Sequence, residues 1–542
     1  MLVLTLVICS LLSGAAWFIM IPAFSMVSSA LPWFLFIVAF IFSVGLSFYN
    51  ANNDDSTLLF AIPWSITLFI FVFIVVVALI SAPIFNSNPY REAITIEQGN
   101  FEDEFEELTA GETYALLDLD TAQRLGDRVL GKVPNATWYN VSQEYNLIKY
   151  QGKYYRISPL EYRDLFAYFK AKSSGIPGYV IVDVGTKEAK FVQTTDPITV
   201  STSGKFSQNL SRVLRAQFPS YVFDQSFMEI DDDGNPYWVT AVLKANAGLW
   251  GARVAQGYVL TNACTRESKY YSIEEEKPEW LDHLYSLDYL MEKAAWHYNL
   301  VHGWWNVSHT DVFNTTYSYK RGASSKTGEP AFYGYNTAVS KDGRIKVYTG
   351  LTPANNTESN VGFLMIDCVS GEYKYYDIPG AEESSAQSVV EGIIQQMGYE
   401  STFPVMVKIA GNPAYLMNLK DKSGLIQRYA IVNYLNYSQA FVGTTFEETL
   451  DGYLELIGEK KEEPVIIEEP AEIFEAEGVI LEKYQAEVNG TTYFYYVIDD
   501  ELYKASILIN EAQVMFKPGY RVKLSYKTMN GMNVVTQIEK NP

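Results

Sequence analysis

Before Arg91 the chain contains no lysine or arginine, and its only acids there are Asp54 and Asp55. So little charge excludes an ordinary soluble domain for this stretch. It also excludes a cleaved signal peptide, which carries a positive n-region. Cysteine is nearly as scarce: Cys9, Cys264 and Cys368 are too few for a disulfide framework. At most one bridge, Cys264–Cys368, is open to the chain outside its N-terminal region. Basic residues are in deficit overall, 41 Lys and Arg against 63 Asp and Glu, for a formal net charge of −22. That balance excludes a protein that coats nucleic acid, which needs a basic face. Charged residues make up 19% and hydrophobic residues 48%, which excludes wholesale disorder. P-loop, dinucleotide-binding, HExxH and G-x-S-x-G motifs are all missing, so no familiar catalytic signature is available.

What is present begins with three apolar runs, Leu2–Phe24, Trp33–Phe48 and Leu58–Phe85. A helix needs about 20 apolar residues to cross a bilayer, and the second run reaches that only with Leu31 and Tyr49 included. Three uncleaved spans are therefore expected within residues 1–90, with the two termini on opposite sides. Trp17, Trp33, Tyr49 and Trp64 suit the membrane interface. Positive-inside counting has only Arg91 to work with. The acidic, Tyr-rich remainder is expected outside the cytoplasm. Eight N-x-[ST] sequons, at Asn135, Asn140, Asn209, Asn306, Asn314, Asn355, Asn436 and Asn489, matter only in a glycosylating compartment.

Beyond the anchor, four segments align without gaps: Gly178–Val192, Gly257–Tyr271, Gly362–Tyr376 and Arg428–Val442. Each reads as an apolar strand, a polar turn and a short strand. Asp183, Asn262, Asp367 and Asn433 share one register position, where a side chain can bond the backbone of the following turn. The flanks repeat as well. Helical stretches Asn209–Phe218 and Ser388–Met397 each precede a Gly-Asn-Pro turn, at Gly234–Pro236 and Gly411–Pro413. Amphipathic helices near Trp280–His297 and Phe446–Ile457 close the two series. Hairpin, helix, hairpin, hairpin, helix thus occurs twice, which predicts a tandem duplication.

The hairpins resemble the PepSY-like family, whose domains pair a helix with an antiparallel sheet and end in an aliphatic–Asp/Asn–x–x–Thr/Ser–Gly–Glu turn. Ile366-Asp367-Cys368-Val369-Ser370-Gly371-Glu372 matches best. Val182–Glu188 departs by Lys187, and Thr261–Glu267 by Thr261 and Arg266. The resemblance implies secreted or membrane-anchored binding modules, proposed to inhibit or hold peptidases, rather than enzymes.

The expected organisation is a three-helix anchor (1–90), an acidic juxtamembrane lead-in (91–149), a first α+β unit (150–307), a polar loop (308–330), a second α+β unit (331–457), a charged, Pro-containing linker (458–472) and a C-terminal all-β domain (473–542). The last reads as five strands, with Asn489-Gly490 and Asn530-Gly531 as hairpin turns. It resembles an OB-like barrel. OB folds bind single strands through stacked aromatics and a basic groove, and Tyr493, Phe494, Tyr495 and Tyr496 are candidate aromatics. Acids outnumber bases there, so no nucleic-acid partner is expected.

Candidate chemistry is thin. All four histidines, His283, His297, His302 and His309, fall in one short stretch. His283 and His297 are about 21 Å apart on a continuous helix, too far for one ion. His297, His302 and His309 remain as candidate metal ligands through the Trp304-Trp305 turn, although no cofactor is expected. Asp231-Asp232-Asp233-Gly234-Asn235 resembles a calcium-loop fragment without the distant Glu. Its counterpart Ile409-Ala410-Gly411-Asn412 has no acids, so turn chemistry is the simpler reading. The expectation is a membrane-anchored, non-enzymatic protein that binds a protein or peptide partner. Tyr237, Trp238, Trp296, Trp304 and Trp305 are its candidate contact residues. A structural part of an envelope or virion assembly, and a metal-dependent hydrolase using His283–His309, are the alternatives.

Overall fold

The computed structural model describes residues 2–53, 57–109, 117–306, 313–315, 335–353, 359–459, 473–488, 491–529 and 532–541. His309, most of the polar loop 308–330, the linker from 460 to 472 and the Asn489-Gly490 and Asn530-Gly531 turns lie outside the described residues. Two compact units divide the chain, Met1–Glu459 and Lys460–Pro542.

Three helices, α1 (Leu2–Met20), α2 (Ala30–Asn53) and α3 (Thr57–Ser81), are long and apolar enough to cross a membrane. The second outgrows its apolar run at both ends. Pro32 sits in its first turn, where a missing N–H costs nothing, and Tyr49–Asn53 continue the helix with polar side chains. The third stops short of Phe85. Ala82 is extended (φ −76°, ψ 152°), as the residue before a proline prefers, and Pro83 opens a new helix, α4 (Pro83–Arg91). Small and hydroxyl residues bring the three together. Gly45 leaves room for Cys9 Sγ, the Ser43 and Thr67 hydroxyls bond at 2.8 Å, and Trp64 Nε1 donates to Ser47 Oγ at 2.9 Å.

Residues 91–149, expected as a lead-in, supply the strand β1 (Ile96–Gln98), the single turn α5 (Phe101–Glu104), the helix α6 (Leu119–Val129) and the first strands of a sheet. Sheet one contains β2 (Tyr139–Val141), β3 (Asn146–Tyr150), β4 (Lys153–Tyr162), β5 (Ile176–Asp183) and β6 (Ala189–Ile198), with the helix α7 (Leu165–Ala171) between β4 and β5. After α8 (Leu210–Gln217) comes sheet two: β7 (Val222–Ile230), β8 (Pro236–Lys244), β9 (Val254–Asn262) and β10 (Ser268–Ser272). The helix α9 (Leu287–Asn299) leads into sheet three: β11 (Phe313–Thr315), β12 (Asn336–Val339), β13 (Ile345–Pro353), β15 (Gly362–Asp367) and β16 (Tyr373–Tyr376). Two short strands, β14 (Ser359–Asn360) and β17 (Gly380–Ala381), pair beside it. A helix over Glu383–Ile393 precedes sheet four: β18 (Glu400–Ser401), β19 (Val405–Ile409), β20 (Asn412–Lys420), β21 (Ile426–Asn433) and β22 (Ala440–Gly443). A helix over Phe446–Ile457 packs on β21 and β22.

Each sequence hairpin lies in its own sheet, with β1 extending sheet three past the third hairpin as a sixth strand, and the four turns share one set of bonds. Asp183 Oδ1 accepts from the amides of Gly185 and Thr186 (2.9 and 2.8 Å), and Asn262 Oδ1 from those of Cys264 and Thr265 (3.0 and 2.9 Å). Asp367 Oδ1 accepts from Val369 and Ser370 (2.9 and 2.7 Å), and Asn433 Oδ1 from Leu435 and Asn436 (2.9 Å each). The residue after each of these donates its amide into the strand before: Val184 to Tyr154, Ala263 to Pro236, Cys368 to Ile345 and Tyr434 to Pro413. Lys187, Arg266 and Gly371 take the same left-handed position (φ 59°, 69° and 69°), the conformation that suits a glycine, and the first two turns form with a longer residue there.

Sheet three is buried on both faces. Leu364 and Ile366 point into one core with sheets one and two, while Phe363 and Met365 point into a second core with sheet four. Successive strand residues face opposite sides, so an unbroken apolar run is what such a strand requires. The one bridge open to the cysteines is not made. Cys264 and Cys368 are both free thiols, and the latter is buried at its turn.

The C-terminal unit is a closed barrel of five strands, β23 (Phe474–Val488), β24 (Thr491–Ile498), β25 (Glu501–Ser506), β26 (Arg521–Met529) and β27 (Met532–Lys540), in the order β23-β24-β25-β27-β26. Its aromatic run alternates, since Phe494 and Tyr496 are core residues. That leaves Tyr493 and Tyr495 on the other face, each with Lys504 Nζ near its ring, at 4.3 and 6.0 Å.

The turn chemistry carries a prediction. Asp367→Asn keeps the accepting oxygen that Asn262 and Asn433 already use and loses only the Oδ2 pairing with exposed Arg344 at 3.5 Å, so it is expected to cost less than about 1 kcal/mol. Asp367→Ala leaves two turn amides unpaired and should cost about 2 kcal/mol. Thermal unfolding of the full chain in detergent measures both.

Candidate functional site

The candidate site is a cavity of about 370 Å³ where sheet two meets the segment that leaves the membrane. Phe223 and Asp224 of β7, Leu243 of β8, and Arg253 at the foot of β9 form one wall. Helix α9 supplies Asp288, Tyr289, Glu292, Lys293 and Trp296, spaced to face one side. Tyr90 of α4 and Trp250 of the β8–β9 loop close it.

These elements are fixed by bonds to the anchor. Trp250 Nε1 donates to the Met26 carbonyl at 2.9 Å, and its ring meets Phe73 of α3 edge-on at 6.4 Å. Tyr90 Oη donates to the Ser81 carbonyl at 2.8 Å and its ring packs against Trp296 at 4.6 Å. On the body side, Ser286 caps α9 by accepting from the Tyr289 amide (3.1 Å) and donates its hydroxyl to Asp224 Oδ2 (2.7 Å).

Lys293 dominates the electrostatics. It is 1% exposed, with Nζ 3.9 Å from the Trp296 ring centre, 4.2 Å from that of Tyr289 and 3.4 Å from Glu292 Oε2. Burial lowers its pKa, against the pull of Glu292 and Asp224. Burial likewise raises Asp224, against the Ser286 hydrogen bond, and lowers Arg253, whose buried Nε has no hydrogen-bond partner. The lining therefore offers two cations, three carboxylates and aromatic walls, without a Ser, Thr, Cys or His. Its chemistry is that of holding a small polar or zwitterionic group beside apolar surface.

Of the contact residues expected from sequence, Trp296 alone lines this cavity. Trp238 is a correction: it lies in the core with Nε1 donating to the Val200 carbonyl at 2.8 Å, because its position on β8 points between the packed layers. Tyr237, its neighbour on the opposite face, packs on Trp280 at 5.2 Å. Trp304 and Trp305 meet edge-on at 4.9 Å beside α4, and Trp305 is 74% exposed. Lys293 was missed, although Tyr289, Lys293 and Trp296 stand at i, i+4 and i+7 of one helix.

The three described histidines sit in different surroundings, and His309 lies outside the described residues. His283 is buried, Nδ1 2.9 Å from Glu229 Oε1, while His297 Nδ1 lies 2.9 Å from the Arg91 carbonyl and His302 is exposed. Among the described residues no group of three or more His, Cys, Asp or Glu side chains is arranged to hold a metal ion. The Asp231 turn spends its carboxylate on itself, accepting from the Asp233 and Asn235 amides (3.1 and 2.8 Å) and from Asn235 Nδ2 (3.0 Å). No protein-family model matches the chain, and no curated protein matches it.

Two predictions follow from the buried charges. Lys293→Met fills the same space without a charge to desolvate and should leave the unfolding temperature unchanged or raise it, whereas Lys293→Ala opens a void and should cost about 2 kcal/mol. Burial also pushes His283 down to about 4, so between pH 6.5 and 4 the unfolded chain binds a proton that the native chain refuses. Across that window His283 by itself lowers stability on acidification, while the raised carboxyls of Glu229 and Asp282 beside it act in the opposite sense, so unfolding temperature against pH should show less acid loss, or more acid gain, in His283→Gln than in the parent chain.

Proposed function

We propose that the chain is a membrane-tethered, non-enzymatic binding protein that projects outside the cytoplasm and takes an extended segment of a partner protein on its sheet edges. One observation carries this reading. The chain already occupies one such edge with its own extended segment: β1 lies parallel to β16, Ile96 opposite Tyr373 and Gln98 opposite Tyr375. The Gly99 amide extends the pairing by donating to the Tyr375 carbonyl at 2.8 Å. Phe101 follows into the core beside Phe363, as an anchoring side chain does when a peptide adds to a sheet. The matching outer strands β6, β10 and β22 have no further strand beside them among the described residues. An unpaired edge offers main-chain donors and acceptors to an incoming segment.

The PepSY-like reading belongs to this proposal. It is supported by the shared turn bonds and by a helix ahead of each sheet, which together favour descent from one repeated unit. The OB-like reading of the barrel is supported by its closure and by the parallel pairing of β25 with β27. Placement outside the cytoplasm is supported by the acidic charge of the body.

The edge of β10 provides the test. Glu267 and Ile273 turn their backbone toward β9, so by alternation the Tyr270 amide points outward. A photocrosslinker at exposed Lys269, in cells, should capture one discrete protein, and Tyr270→Pro should abolish the adduct. A membrane-impermeant lysine reagent should label the body on intact cells. Absence of a protein adduct at β10, β6 and β22 alike would overturn the edge-binding reading.

A further inference from the structure

Helix α7 is inside out for a soluble surface helix. Ala167, Tyr168 and Ala171 face the core, while Leu165, Phe166 and Phe169 face away from it, and Phe166 is 80% exposed. The outward side of such a helix is ordinarily polar. A fourth exposed apolar side chain joins it from the loop before α8: Phe206 lies 6.0 Å from Phe169. The loop is fixed to the helix, since Tyr168 Oη donates to the Lys205 carbonyl at 2.9 Å.

The patch is continuous with the membrane anchor. Phe206 lies 6.0 Å from Phe18, in the last turn of α1. Arg212 of α8 stacks its guanidinium 3.9 Å from the Phe18 ring centre and donates Nη2 to the Phe18 carbonyl at 2.5 Å. The Phe24 amide, just past α1, donates to the Pro219 carbonyl at 2.8 Å. The end of a spanning helix marks the edge of the hydrocarbon, so these contacts hold the four apolar side chains near that level. Around them the charge reverses the chain's acidic balance. Arg163, Lys170, Lys172 and Lys205 are exposed, and Lys172 Nζ sits 5.2 Å from the Phe169 ring centre. The one acid on this helix, Asp164, caps it by accepting from the Ala167 amide at 2.8 Å and pairs with Arg163.

We propose that Leu165, Phe166, Phe169 and Phe206 form a second membrane contact, inserted into the interface of the bilayer that α1 spans, with the basic rim on anionic lipid headgroups. Apolar side chains beneath a lysine and arginine rim are what an interfacial helix presents to such a surface. The contact adds to the bonds that already join the body to α1 and its following loop, and sets α7 against the surface of the bilayer.

The test uses the full chain in lipid nanodiscs, with a nitroxide label at Phe166→Cys and, separately, at exposed Asp232→Cys as the aqueous reference. Collision with oxygen should exceed collision with a water-soluble nickel chelate at 166, and the order should be reversed at 232. In discs containing phosphatidylglycerol, adding Lys170→Glu, Lys172→Glu and Lys205→Glu should at least halve the oxygen-to-nickel ratio at 166. A label at 166 that collides with nickel as freely as the one at 232 overturns the proposal, including the case in which a protein partner covers the patch in cells. An unchanged ratio in the charge-reversed variant overturns the role given to the basic rim.

Discussion

The body depends on sheet three being buried from both sides. Tyr348, Phe363 and Met365 belong to one core and Val347, Leu364 and Ile366 to the other, so one set of strands joins sheets one and two to sheet four. Buried apolar surface contributes roughly 25 cal/mol per Å², and a two-faced sheet collects that contribution twice over the same backbone. The cost is that every polar group caught there needs a partner. Tyr348 Oη donates to Glu383 Oε1 at 2.9 Å, and Tyr415 Oη donates to the Ala381 carbonyl at the same distance. Arg156, buried nearby, divides its donors among the Leu117 and Tyr145 carbonyls and Thr337 Oγ1.

The same economy explains the four hairpins. Each must turn tightly at a sheet end and still satisfy its amides. One short acceptor, Asp or Asn, does so by taking two of them. Because oxygen Oδ1 is common to both residues, the position alternates between Asp and Asn without changing the turn. The amide of the next residue then bonds the preceding strand, so the turn is part of the sheet rather than an appendage.

Between the body and the three apolar helices the contacts are of another kind: rings and main-chain carbonyls rather than ion pairs. Tyr90 and Arg212 donate to carbonyls in the last turns of α3 and α1, which a helix leaves unpaired, while Trp250 and Arg91 donate to the loop carbonyls of Met26 and Val301. Such bonds orient the body without requiring charge inside the membrane. Tyr90 and Trp250 also form one flank of the cavity around Lys293, whose Nζ lies between the rings of Tyr289 and Trp296 instead of in water.

The amino-acid order by itself determined the elements whose information is local. Absence of charge before Arg91 marked the three spans, since length and hydropathy alone decide whether a helix can cross. The repeated Asp/Asn register marked the hairpins, and spaced turns marked the barrel strands. Tertiary structure decided everything that depends on which side of an element meets another. It sent Trp238 and Phe494 into cores and left Phe166 outside. It gave His283, His297 and His302 separate surroundings, and it placed each hairpin in its own sheet. It also laid Ile96–Gln98, part of the acidic lead-in, along a distant strand edge. The reason is physical: a periodic pattern records that a residue has two faces to choose between, while the choice is made by packing partners hundreds of residues away.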